Sequence, residues 1–127
     1  MAIKFKVIER GHPGVVGGGV KKFYATSVLE GEISLTDLTR QIEKICTVSG
    51  ADIRAVLYAL VDVAVDNLNN GRIVRLGELG SLRPTLSSEG KTTAEEVTAA
   101  AIKEAGVLFT PGTRIKEMLA AVKFVKE

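Results

Sequence analysis

The spacing of apolar and polar residues changes period along this chain, and each change marks an element. Ile3, Phe5 and Val7 alternate with Lys4 and Lys6, the period-two pattern of a half-exposed strand. Gly11 to Gly19 holds five glycines and Pro13, which predicts a flexible loop. Lys22 to Leu29 predicts a second strand with Tyr24, Thr26 and Val28 on one face, so the two runs read as a hairpin. The period then becomes helical. Ser34 stands three residues before Asp37, a hydroxyl and a carboxylate placed to satisfy a free helix N-terminus, and Leu35, Leu38, Ile42 and Ile45 follow on one face. Ser49 and Asp52 repeat that start signal. Behind them Ile53, Val56, Leu57, Leu60, Val61 and Leu68 give a second helix a broad apolar face, and Asn69-Asn70-Gly71 stops it.

Arg72 to Leu86 reads as extended, with Gly77 and Gly80 supplying a bend, and Ser87 to Thr93 as a polar turn. Residues 94–105 are ambiguous, since their propensities are helical while Val97, Thr98 and Ile102 suit a strand. The last helix is expected from about Pro111 to Val122, with Ile115, Met118, Leu119 and Val122 inward.

A length of 127 residues allows one domain, or one small domain with an added element. A chain this small buries a modest share of its surface, a burden that an intertwined dimer would ease. Seventeen Lys and Arg against fifteen Asp and Glu leave a net charge of only +2, so overall charge does not by itself point to nucleic acid. The single Cys46 excludes an intramolecular disulfide and fits a reducing compartment; its place on an apolar helix face suggests a buried, inert thiol. No segment reaches the ~20 apolar residues of a membrane span, and no leader pattern is visible. The expected setting is cytoplasmic.

No constellation of side chains supports catalysis. His12 is the only histidine and sits in the glycine-rich loop, away from any cluster of ligands. Glu95 and Glu96 are adjacent, so on a strand they would face opposite ways. Asp62 and Asp66 share a helix face and read as a solvated or dimer-related surface. Gly17-Gly18-Gly19 lacks the lysine and hydroxyl ending of a phosphate-binding loop. An enzyme, a cofactor, a metal site and a small-molecule substrate are therefore not expected.

Two stretches carry a family resemblance. Arg72-Ile-Val-Arg-Leu-Gly-Glu-Leu-Gly-Ser-Leu82 repeats a Leu-Gly step, and Phe109-Thr-Pro-Gly-Thr-Arg-Ile-Lys116 sets an aromatic before Pro-Gly and a helix. Behind two capped helices, this combination resembles the HU/IHF family of bacterial histone-like DNA-bending proteins. The resemblance runs through Thr36–Leu82 and Phe109–Val122, and the whole chain looks like an HU-related branch with an N-terminal extension found in Bacteroidetes-type bacteria. It implies an α+β fold: an intertwined homodimer with a helical base and two β-ribbon arms, here with an N-terminal β-hairpin extension. It also implies that residues 94–105 form the returning strand of the arm, paired with 82–87. The domains would be 1–33, the hairpin extension, and 34–127, the HU-like unit.

In that family the arms hold the minor groove of double-stranded DNA, through cations that replace condensed counterions and apolar wedges that kink the duplex. Carried over residue by residue, Arg83, Lys103, Arg114 and Lys116 would line the saddle and Lys91 would sit at the arm tip. Leu57, Leu60, Val61 and Phe109 would form the dimer core. The chain departs from the family's pattern in its arm: Arg83 to Leu108 holds three basic residues against Glu89, Glu95, Glu96 and Glu104, without proline at the tip, and Thr113 stands where the family often has lysine.

The basic charge lies elsewhere. Residues 1–22 carry Lys4, Lys6, Arg10, Lys21 and Lys22 against Glu9 alone, while the remainder has an acidic surplus. Charge alone adds Lys4, Lys6, Lys21 and Lys22 as further phosphate contacts. The expected function is sequence-tolerant binding of double-stranded DNA in the nucleoid. The competing reading is a scaffold of this type that has lost DNA and serves as a structural or protein-interaction module.

Overall fold

The computed structural model describes residues 2–127 except 12, 13, 15, 16 and 18. The histidine at position 12 and much of the expected glycine-rich loop lie outside the described residues. The chain is mixed α+β and divides into two compact units. One comprises residues 1–32 with 118–127, and the other Ile33–Glu117.

The first unit is a three-stranded sheet. β1 (Ile3–Arg10) pairs antiparallel with β2 (Lys22–Val28), the hairpin its alternation predicts. Its third strand, β6 (Phe124–Lys126), pairs parallel with β1, setting Phe124 beside Ile3 and Lys126 beside Phe5. Nothing in the periodicity announced this strand, because three residues are too few to show one. Register sorts the two faces. Ile3, Phe5 and Val7 share one face with Phe23, Ala25 and Phe124, while Lys4, Lys6, Ile8 and Arg10 share the other with Lys22, Tyr24, Thr26 and Val28.

The second unit begins with two helices, α1 (Leu35–Ile45) and α2 (Gly50–Asn69), packed against each other. Both start where the hydroxyls foretold. The Asp37 amide donates to Ser34 Oγ at 3.2 Å, and the Ser34 amide donates to the Asp37 carboxylate at 3.3 Å, closing a reciprocal cap. Ser34 Oγ also donates to that carboxylate at 2.9 Å. These hydrogen bonds to Ser34, with Arg40 nearby, hold the Asp37 carboxyl below its ordinary value of 3.8. At α2 the Asp52 amide donates to Ser49 Oγ, and Gly71 closes the far end at φ 77°, a left-handed conformation that suits glycine.

A second sheet follows in the order β3 (Val74–Arg75), β4 (Gly80–Ser88) and β5 (Ile102–Pro111), all antiparallel. β4 and β5 form the long ribbon, and a bulge interrupts their register beyond Ser87. The expected returning strand is correct only from Ile102 onward. Residues 94–101 instead form two short 3₁₀ turns, Ala94–Glu96 and Ala99–Ala101. The run of alanine and glutamate keeps some of its helical bias there, because it has no strand opposite it to override that bias. Pro111 also differs from expectation: it ends β5, and the last helix, α3 (Thr113–Ala121), starts after Gly112.

The two glycine motifs meet at one crossing. A 3₁₀ turn at Gly77–Leu79 carries the chain from β3 to β4, with Gly77 at φ 64°. The Gly112 amide donates to the Leu79 carbonyl at 3.0 Å. A Cβ on Gly112 would lie 2.6 Å from the Glu78 carbonyl carbon and 2.8 Å from the Gly80 nitrogen. A Cβ on Gly80 would run into the Thr110 carbonyl and stand 2.7 Å from the Phe109 ring. Two backbones thus pass at a distance that only glycine permits.

Burial inside this unit is sparse. Only Thr39, Ile53, Ala64, Gly80 and Ala101 are buried. α2 is apolar around most of its circumference, and Val56, Tyr58, Leu60, Val61, Val63 and Val65 are all exposed. Cys46, expected to be buried, is exposed as well. It is the C-cap of α1, with extended backbone, and it stays beside Ile42 and Ile53 at an apolar cleft that is open to solvent.

Two outcomes test this account. Gly112→Ala should lower Tm well beyond Gly90→Ala, which adds a Cβ in open space; equal melting curves by circular dichroism would refute the crossing. Ser34→Ala should return the Asp37 carboxyl towards its ordinary value, read by carboxyl ¹³C shifts against pH. The wild-type cap adds stability above the ordinary aspartate pKa and loses it as pH falls through the lowered one. An unmoved titration in the variant would remove Ser34 as the cause.

Candidate nucleic-acid interface

The ribbon and the crossing at its base place the family-derived cations. Arg83 lies on β4 opposite Leu108, and Lys103 is the extra residue in the bulge between the pairs Ser87–Glu104 and Ser88–Ile102. Lys91 lies in the connection beyond β4, 3.2 Å from the Glu89 carboxylate. Arg114 and Lys116 belong to the first turn of α3, where Arg114 stands 3.9 Å from Glu78. Both pairs are at the surface, where such contacts contribute little and are screened by salt.

At the crossing a cleft of about 270 Å³ is bordered by Arg75 and Lys116, with Ser81, Thr110 and the backbone of Gly77, Gly80 and Gly112. Arg75 was absent from the sequence-derived set. The signal for it was available in Arg72-Ile73-Val74-Arg75, which leads directly into the first glycine of the Leu-Gly repeat. The cleft therefore joins two cations from distant parts of the chain.

The charge order of α3 runs against its own dipole. Its first turn holds no acidic residue, while Arg114 and Lys116 stand near the end that carries the positive partial charge. Cations there oppose the free N–H groups, a placement that costs ~0.3–1 kcal/mol per charge. An anion at the same end reverses the sign, drawing on both the side chains and the amides.

The ribbon carries little positive charge along its length. Glu104 pairs with Ser87 on the face that holds Arg83. Leu86, Val107, Leu108 and Phe109 are exposed, so its surface is largely apolar. The chemistry suits apolar contact along the ribbon and anion contact at its base.

Of the cations assigned from charge alone, Lys4 and Lys6 share the polar face of β1 with Lys22 across the hairpin. Lys4 is bonded to Glu30 at 2.7 Å, which raises the lysine pKa and lowers that of the carboxyl through the hydrogen bond and the opposite charges. Lys21 precedes β2 and lies outside the paired register. Lys6 and Lys22 have no carboxylate within salt-bridge distance among the described residues, and neither has Arg10, which faces Lys22 across the hairpin. The candidate phosphate ligands are thus split between the two units.

Leu60, Val61 and Phe109 are exposed and Leu57 is half-buried. Leu57 borders an apolar cleft of about 250 Å³ with Ile42, Cys46, Val48, Ile53 and Val56. Among the described residues no group of His, Cys, Asp and Glu is arranged to hold a metal ion, and no helix is long and apolar enough to cross a membrane.

Residues 1–126 match the model of a family, HU-HIG, described as an HU domain fused to wHTH, Ig, or glycine-rich motif. No curated protein matches the chain. Among solved structures, the fold is similar to a protein of Bacteroides vulgatus ATCC 8482, provisionally described as a bacterial DNA-binding protein, with a TM-score of 0.68 and 16% identity. The match covers 99% of this chain and 49% of that one, so the chain spans about half the length of its structural relative.

Proposed function

From its membership of the HU-HIG family, to which this chain belongs, we propose that the protein binds double-stranded DNA without strong sequence preference, as a homodimer of HU type in the nucleoid. The observation that carries this reading is the cationic first turn of α3. Arg114 and Lys116, with Arg75 across the crossing, stand where an anion is favoured and a cation is not. A phosphate there gains side-chain charge and backbone N–H groups together.

Arg83 and Lys103 extend the contact along the ribbon, and Lys91 at its far connection exchanges Glu89 for phosphate. The exposed apolar residues of the ribbon suit the shallow, wedge-like contacts of minor-groove proteins, and bending of the duplex belongs to the same proposal. No step of this reading requires a cofactor or an enzymatic activity.

The dimer rests on a separate argument. A helix apolar on nearly all sides is stable only when covered. α2 buries Ile53 and Ala64 within the chain and leaves Leu60, Val61 and their neighbours to water. Covering a valine or leucine fully contributes ~1.5–3 kcal/mol, so several such residues on one helix supply ample drive for association. Leu57, Leu60, Val61 and Phe109 are assigned to that interface. The domain division follows the same proposal, with an N-terminal extension of 1–33 and an HU-like unit of 34–127 whose last residues, 118–127, pack with the sheet of the extension.

A scaffold that has lost DNA and serves protein partners is the second reading. It draws support from the acidic residues Glu104 on the ribbon and Glu89, Glu95 and Glu96 in the connection between its strands.

Anisotropy with a short random duplex across a salt series decides between them. Binding should weaken linearly in log–log form, and Lys116→Gln and Arg75→Gln should each reduce the slope by about 1 while weakening all sequences alike. No binding at low salt from a folded dimer would turn the search to protein partners. Leu60→Asp should abolish the folded dimer in light scattering and circular dichroism; a folded monomeric variant would sink the architecture.

A further inference from the structure

The polar face of the N-terminal sheet is a surface of another kind. Its residues form a ladder fixed by register: Lys6 beside Thr26, Ile8 beside Tyr24, and Arg10 beside Lys22. Alternate residues on a strand stand about 6.7 Å apart, so the cations bracket Tyr24 at regular intervals from both strands. Tyr24 is 46% exposed. A cavity of about 380 Å³ opens beside it, lined by Arg10, Gly11, Tyr24 and Ala25. At the opposite end of the face Lys4 is bonded to Glu30, so among the described residues the cations without a carboxylate partner on this face are those around the aromatic ring.

A planar ring flanked by cations on an open sheet has the elements that hold unpaired nucleotides. The phosphates track the cations and a base stacks on the ring. A duplex would use the cations but not the ring, because its bases are already stacked on each other. We propose that this face binds single-stranded nucleic acid, with a base on Tyr24 and the adjoining phosphates on Lys6, Arg10 and Lys22. It is a second contact surface, distinct from the cleft at Arg75 and Lys116, and it rests on the nucleic-acid reading above for its class of partner.

The test uses the full chain, a labelled oligo-dT single strand and a duplex of matched length. Tyr24→Ala should weaken binding of the single strand about ten-fold, and Tyr24→Phe should restore it, since stacking needs the ring and not the hydroxyl. Duplex affinity should be the same in all three proteins. Arg10→Gln and Lys22→Gln, which leave the ring and the apolar face intact, should each flatten the single-strand salt dependence by about 0.7 in log–log slope. The proposal is overturned if the wild type does not bind oligo-dT at low salt, if Tyr24→Ala binds it equally well, or if the loss is the same on duplex. It also falls if the two charge variants leave the slope unchanged. Failure of duplex binding with Tyr24-dependent binding of the single strand would overturn the duplex reading and leave this one standing.

Discussion

The constraint on which the larger unit depends is the circumference of α2. A twenty-residue helix whose sides are nearly all apolar cannot remain in water, and this chain supplies too little to cover it. Folding and association are therefore one event in the proposed dimer, and its stability would depend on protomer concentration. The caps at Ser34 and Ser49 fix where the helices begin, but they act only at the ends. The free energy that holds the helical base together has to come from the faces.

The crossing at Gly80 and Gly112 is the second constraint, and it joins the fold to the candidate site. Because neither glycine has a Cβ, the turn at Gly77–Leu79 can approach the start of α3 closely enough for the Gly112 amide to reach the Leu79 carbonyl. The same approach brings Arg75, from just before the turn, to the edge of the cleft that Lys116 borders from the helix. What looks in the sequence like two separate motifs is one joint. Its geometry sets the distance between the cations.

Elements with strong local signals were legible from the residues alone. The hairpin of β1 and β2, both helix starts and the stop at Gly71 each rest on interactions within a few residues. The ambiguous stretch at 94–101 was not legible, because its outcome depends on what lies opposite it, and the pattern of one segment does not say. β6 was missed for a related reason: its pairing with β1 is parallel and spans nearly the whole chain, so nothing near Phe124 foreshadows it. At the candidate site, Arg114 and Lys116 are assigned from the Pro-Gly motif beside them. Arg75 is signalled by the run Arg72-Ile-Val-Arg75, whereas the place of Arg10 beside Tyr24 emerges only with the register, and Cys46 is exposed because the apolar cleft it borders is open.

The pairing of β6 with β1 has a consequence for synthesis. A ribosome makes the chain from its N-terminus at ~5–20 residues per second, so on the order of ten seconds separate the emergence of β1 from that of Phe124. Through that interval the hairpin presents an unpaired edge on β1 to whatever else is near, a condition that invites wrong strand partners. The alternation of Lys4 and Lys6 along that strand places two positive charges on it, and charge is a common protection for an edge that must wait. The nascent chain would then be guarded by residues that, in the finished sheet, share a face with Tyr24.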